Sequence, residues 1–299
     1  MEVKSKLLIW GTGREYDKYL NALRYQEVLG KVEILGITSG DGCYDFVDGY
    51  KYYNTIEAIK LGFDYLVIAT ARETYNEILK TVTEYGISEE KIIKISLFQL
   101  PEFDIEKYTR IRNKKVSIIS NNCWGGYVSH RLEVPFNSPF VNMAISDDDY
   151  LKMLRRFNYY LELEPIFDSW EFHNRLQHHY PRFRLGDIRL ECLHYKTKEE
   201  LLKCWKRRVK RINYENLFVM MYTTSEEVLR EFDKLPYQNK VCFVPFHTNI
   251  KSGYFIELYN KLDNVPFWEV VTGSARGRYK IYDVLSLLSG ENKERSDIM

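Results

Sequence analysis

Eleven residues, Asn121 to Arg131, bring together two carboxamides, a thiol, an indole, a glycine pair, an imidazole and a guanidinium. They follow "SIIS", a short apolar run that reads as a buried strand. Polar and glycine residues just past a strand's carboxyl end are where α/β proteins place ligands. Residues 120–131 are therefore the first place to look for a site, and four readings fit the residue types. In one, Cys123 is a nucleophile and His130 its base, which needs an imidazole, a cation or a helix N-terminus to lower the thiol pKa. In a second the segment cradles a sugar or phosphate. Asn121 and Asn122 each donate and accept hydrogen bonds, and Gly125 and Gly126 offer backbone N–H groups to an anion. Trp124 stacks on a sugar face, and Arg131 supplies fixed charge. In a third, His130 is the general base towards an acceptor sugar hydroxyl that receives an acyl or glycosyl group. In the fourth, the stretch is a glycine turn around a buried Cys123.

Candidates elsewhere carry the same double reading. His247 follows the strand-like run "KVCFVPF", and shares a cleft with Cys123 if their two strands are neighbours. Arg182, with Arg184, precedes a strand and could clamp an anion. His194 is placed on the apolar face of the strand 186–195, as a core residue, and His178 with His179 in a surface loop. Asp147, Asp148 and Asp149 resemble an acidic metal or nucleotide-sugar motif, but they sit at a helix start that Ser146 can cap. The basic helix 196–211 is either a solvated face or a contact for phosphate or acidic polysaccharide.

The elements that must hold these residues are of two sets. Residues 5–96 alternate strand and helix: "KLLIW", a GTG turn, a helix, "KVEILGITS", "FDYLVIAT", a helix ending at Gly86 and "EEKIIKIS". Such alternation predicts a parallel sheet covered on both faces. Gly11 and Gly13 match two positions of the dinucleotide fingerprint and are candidate cofactor-binding residues, but Tyr16 stands at the third. Thr38 and Ser39 end the second strand where an acid would hold a ribose, with Asp41 just beyond. No NAD, NADP or FAD is expected, and no metal, because no cluster has ligand spacing. Residues 97–114 lose their periodicity and read as the connection. The fold class is α/β, with a Rossmann-like domain over 1–112 and a separate α/β sandwich over 113–299.

With 299 residues, 45% hydrophobic and 28% charged, the chain has the balance of a globular protein, and two domains are the prior. A net charge of +1 gives no global field for nucleic acid. Five cysteines with no CxxC pair point to reduced thiols in a cytoplasm. Neither a signal peptide nor a membrane span is expected. Tyrosines number 24, and they line sugar sites as well as filling cores.

Two resemblances narrow the expectation. The order strand–GTG–helix, "ILGITSGDG", "GYKYYNTIEAI", "FDYLVIAT" and "YGISEEKIIKI" is similar to the small Rossmann-like domain at the N-terminus of bacterial sugar N-acetyltransferases, where it receives a nucleotide sugar. The blocks "SIISNNCWGGYVSHRLEVPFNSPFVNMAI", "YPRFRLGDIRLECLHYKTKEELLKCWKRRVKRINYENLFVMM" and "KVCFVPF" resemble a bacterial domain family of unknown function, numbered nineteen-nineteen. Its members are often labelled exopolysaccharide biosynthesis proteins. The resemblance implies capsule or exopolysaccharide chemistry: a cytoplasmic transferase on a sugar or nucleotide sugar. A non-catalytic binding or assembly protein and a cysteine hydrolase remain open, as does a homo-oligomer.

Overall fold

The computed structural model describes residues 4–40, 42, 44–100 and 103–290. Asp41 and Cys43 therefore lie outside the described residues. The chain forms two compact units, residues 1–109 and 110–299. It is an α/β protein in two parts, each built on a four-stranded parallel sheet.

In the first unit the order is β1 (Ser5–Trp10), α1 (Arg14–Val28), β2 (Val32–Thr38), a hairpin of β3 (Phe46–Val47) and β4 (Tyr50–Lys51), α2 (Thr55–Ala58), β5 (Tyr65–Ile68), α3 (Arg72–Glu84) and β6 (Ile92–Lys94). Leu7, Leu8 and Ile9 are fully buried, as a central parallel strand covered on both faces requires. The spatial order is β2-β1-β5-β6, so the winding reverses between β1 and β5. That reversal opens a crevice at the carboxyl ends of those two strands. Gly11 lies there with φ of +116°, and a Cβ on it would stand 2.6 Å from the Ala69 carbonyl oxygen. Only glycine fits both the dihedral and the contact.

The segment 97–114 is not the irregular connection its sequence suggests. A 3₁₀ turn covers Ile95–Gln99 and α4 covers Ile105–Asn113. Leu97, Phe98, Leu100 and Phe103 are buried, and Ile105, Tyr108 and Ile111 form the buried stripe of α4. Apolar residues three apart drive a helix, and the division between the units falls inside it.

In the second unit come β7 (Ser117–Ser120), α5 (Trp124–Arg131), α6 (Asp147–Arg155), α7 (Phe157–Glu162), β8 (Ile166–His173), β9 (His178–Leu185), β10 (Ile188–Glu191), α8 (Lys198–Val209), β11 (Leu217–Tyr222), α9 (Glu226–Asp233), β12 (Lys240–Val244), β13 (Gly253–Phe255), α10 (Phe267–Ala275) and α11 (Val284–Ser289). The parallel sheet is ordered β13-β12-β11-β7, and a separate antiparallel sheet is ordered β10-β9-β8. Here chain order and spatial order run together, without a reversal. The helix that Ser146 caps breaks at Arg156, whose φ of −132° and ψ of 41° are not helical. His178 and His179 begin β9 rather than lying in a loop. Tyr150 on α6 is fully buried, its hydroxyl 3.0 Å from the Ile119 carbonyl and 2.9 Å from that of Met220. This phenol fixes α6 against β7 and β11, and so fixes where the first turn of α6 stands.

Candidate functional site

Most of the opening segment is buried and occupied with its own architecture. The Asn121 amide donates to the Tyr222 carbonyl at 3.1 Å and accepts from the Tyr222 N–H at 3.3 Å, which ties the end of β7 to the end of β11. Asn122 Oδ1 accepts from the Trp124 N–H at 3.0 Å, while its Nδ2 is buried without a partner. Trp124 is a core residue: its indole N–H donates to the Tyr282 hydroxyl at 2.5 Å, and its ring stacks on Phe218 at 5.9 Å. It presents no face to a sugar. Gly125 and Gly126 serve close packing, since a Cβ on the first would lie 2.9 Å from Ile118 Cγ2 and on the second 3.0 Å from Asn142 Oδ1.

Cys123 is buried, and desolvation pushes its thiol up to about 12 against a small opposing pull from Arg276. Almost no thiolate exists near neutral pH under those conditions. His130 is exposed in the last turn of α5, and no hydrogen bond joins it to Cys123 among the described residues. β11 lies between β7 and β12, so the neighbouring-strand condition that would bring His247 to Cys123 is not met. His247 instead packs on Phe255, ring centroids 4.0 Å apart. It lines a cleft of about 450 Å³ with Glu226, Arg230, Thr248, Asn249 and Ile250. Arg182 is committed to two carboxylates, with Nε 2.7 Å from Glu191 and Nη1 2.9 Å from Glu171. That pairing leaves it no charge for an external anion.

Two further groups of polar side chains adjoin the segment, one past the carboxyl end of β11 and one on α5. Asp147, the first residue of α6, accepts from the Thr223 hydroxyl at 2.6 Å. Burial raises its pKa, Thr223 offsets part of that effect, and Asp148 adds to it. Ser146 caps α6 through the Asp149 N–H, as the sequence allowed, which leaves the Asp147 carboxylate for this tertiary contact. Tyr222 ends β11, and its phenol is pushed up to about 12 by burial, with Asp147 and then Cys123 contributing. On α5, the Tyr127 hydroxyl lies 3.4 Å from His194 Nε2, and Arg276 donates to the same hydroxyl. His194 is not in a strand: β10 stops at Glu191, and a turn closed by the Tyr195 N–H to the Cys192 carbonyl at 3.1 Å brings its ring out. Desolvation, then His178 and His173, lower the His194 pKa and favour the neutral base.

In the first unit, Gly13 caps α1 without a side-chain partner, and the space where its Cβ would stand is open. The Thr38 and Thr70 hydroxyls are buried and unpaired. Among the described residues, no group of three or more His, Cys, Asp or Glu is placed to hold a metal ion. No helix among them is long and apolar enough to cross a membrane.

Residues 94–289 match the family described as Domain of unknown function (DUF1919). The chain belongs to that family. The remainder of this DUF1919 chain, residues 3–93, matches a domain described as C2185-like, N-terminal. An uncharacterized protein of Haemophilus influenzae is 34% identical over 161 residues, 52% of this chain and 75% of that protein. Tyr127, Tyr222 and Arg276 join the candidate site of the DUF1919 chain without having been singled out in the sequence, whereas Asp147 was weighed there as a helix-start acid and His194 as a core residue.

Proposed function

We propose that this chain is a transferase of surface-polysaccharide assembly, working in the cytoplasm on a sugar or nucleotide sugar. The observation that carries the reading is Asp147, a carboxylate raised by burial and oriented by Thr223 at 2.6 Å. A raised carboxylate is a stronger base towards a hydroxyl than an ordinary one, and the threonine fixes its direction. In the transfer, the acceptor hydroxyl gives its proton to Asp147 while its oxygen attacks the donor's electrophilic carbon. The new C–O bond forms as the bond to the leaving group breaks, and the leaving group departs with that electron pair. Glycosyl and acyl donors both fit this scheme. The open space at Gly13 and the unpaired hydroxyls of Thr38 and Thr70 support a separate nucleotide site at the Gly11–Gly13 turn of the first unit.

The test is Asp147→Asn, assayed with a panel of nucleotide sugars and acyl-coenzyme A and an oligosaccharide acceptor. Loss of a general base lowers the rate by roughly 10²–10⁴-fold. The same change is expected to raise the melting temperature. Asp147 has a folded-state pKa above its unfolded value, so its ionised form at neutral pH opposes folding. Asparagine removes that charge and still accepts from Thr223. An unchanged rate would sink the proposal.

A further inference from the structure

Three arginines gather at one turn of the second unit. α10 ends in a Schellman motif: the Arg278 N–H donates to the Gly273 carbonyl at 2.9 Å and the Gly277 N–H to the Ser274 carbonyl at 2.9 Å. Gly277 takes the left-handed position with φ of +79°. Its missing side chain matters a second time. The Arg131 guanidinium from α5 lies against it, so that a Cβ there would stand 3.0 Å from Arg131 Cζ and Nη2. Arg131 is half-buried between the two elements, while Arg276 and Arg278, on either side of Gly277, are exposed. Partial desolvation lowers the pKa of Arg276, and the like charge of Arg278 adds to that effect.

No ion pair joins any of the three to a carboxylate among the described residues. Arg276 engages only the phenol of Tyr127, lying over its ring at 3.9 Å and donating to its hydroxyl. Five other arginines of this unit are ion-paired, Arg155, Arg175, Arg182, Arg184 and Arg230. Arg156, Arg207 and Arg208 instead meet Tyr159, Cys204 and Tyr195 singly, so what marks this turn is that three guanidinium groups converge on it. The helix C-termini of α5 and α10 favour nearby cations, but each such contact is weak and does not require three. Guanidinium groups offer planar paired donors that match phosphate oxygens. Arg276 meets Tyr127 on α5, the helix that follows β7, and Asp147 meets Thr223 just past β11, the strand paired with β7, so both belong to neighbouring strand–helix connections.

We propose that Arg131, Arg276 and Arg278 form a binding site for a diphosphate, the phosphate-bearing part of the transferase donor. The assignment deepens the transferase reading and rests on it for the identity of the donor. A nucleoside diphosphate and coenzyme A both present this chemistry. The experiment is calorimetry on the full chain at low salt with inorganic pyrophosphate, then with uridine diphosphate and with coenzyme A. Pyrophosphate is expected to bind, and to weaken as salt is raised. Arg278→Gln, at an exposed position, and Arg131→Lys, which keeps charge but loses the paired donors, are each expected to lower affinity by about ten- to a hundred-fold. Lys80→Gln, on the exposed face of α3, is expected to change nothing. Tighter binding of either nucleotide than of pyrophosphate identifies the source of the diphosphate. Absence of pyrophosphate binding up to millimolar concentration overturns the proposal, and so do unaltered affinities in both arginine variants. Asp147→Asn is expected to bind pyrophosphate normally. If it also retains full transfer, the general-base reading fails while the anion site stands.

Discussion

Cys123 and Asp147 show how little a side chain's type says about its chemistry before its surroundings are known. Both invite a reactive role, and burial raises the pKa of each. For a thiol nucleophile that shift is disabling, whereas for a carboxylate base it is useful. Native protein treated with iodoacetamide near neutral pH should therefore be labelled at the partly exposed Cys204 and spared at the buried Cys123, Cys192 and Cys242. Peptide mass mapping reads the outcome, and labelling of Cys123 as fast as Cys204 would restore the cysteine mechanism. Cys123→Ser should keep transfer activity. Its cost is stability, because a hydroxyl buried without a partner costs about 1–3 kcal/mol. Asp147 was visible in the sequence as a first-turn acid. Its partner Thr223 lies 76 residues further on, a separation that no local pattern encodes.

Elements were legible where burial is one-sided or complete, and illegible where it is neither. β1 and β5 are continuous apolar runs, and their alternation with α1 and α3 gives the parallel order directly. The hairpin of β8 and β9 was missed because β8 turns Ile166, Trp170 and Phe172 outwards and keeps Ser169 and Glu171 partly covered. Its alternation thus runs opposite to the apolar-in rule. His194 was misplaced for a related reason: Ile188, Leu190 and Cys192 extend a strand pattern that the chain abandons after Glu191. The glycines of α5 were read as ligand contacts, yet Gly125 sets the distance between α5 and β7, and Gly126 the distance between α5 and the segment at Val141 and Asn142. Gly125→Ala gains helix propensity but drives a methyl against Ile118 and Ser120. Overpacking of that kind costs about 1–3 kcal/mol, so a lower urea midpoint is expected. An unchanged or higher midpoint would show that β7 can yield.

Over the whole molecule, the division into two α/β parts was readable from the repeat of strand and helix, while the segment between them was not. Its apolar residues at 97, 98, 100 and 103 follow no single period, and only the stripe at 105, 108 and 111 announces α4. The abundance of tyrosine, equivocal in the sequence, resolves in part into buried phenols such as Tyr150 and Tyr195 and half-buried ones such as Tyr237 and Tyr282, whose pKa values desolvation raises. Each holds its proton more tightly folded than unfolded. Their contribution is complete below the unfolded values, 9.0 for the Cys123 thiol and 10.0 for the phenols, and is lost as pH climbs towards the folded ones. Unfolding in urea at about pH 8 and about pH 10.5 should show a lower midpoint at the higher pH. Equal midpoints would mean that these phenols reach water. Arg276 meets Tyr127 across 149 residues of chain, and Tyr282 meets Trp124 across 158. At synthesis rates of about 5–20 residues per second, roughly 7–30 s pass between the appearance of Tyr127 and that of Arg276. For that interval the nascent chain carries α5 without its closing partners, its indole unsatisfied and its apolar flank open to chaperones. A ribosome that stalls just before Arg276 would leave a nearly full-length protein without two of the three arginines of the proposed anion site.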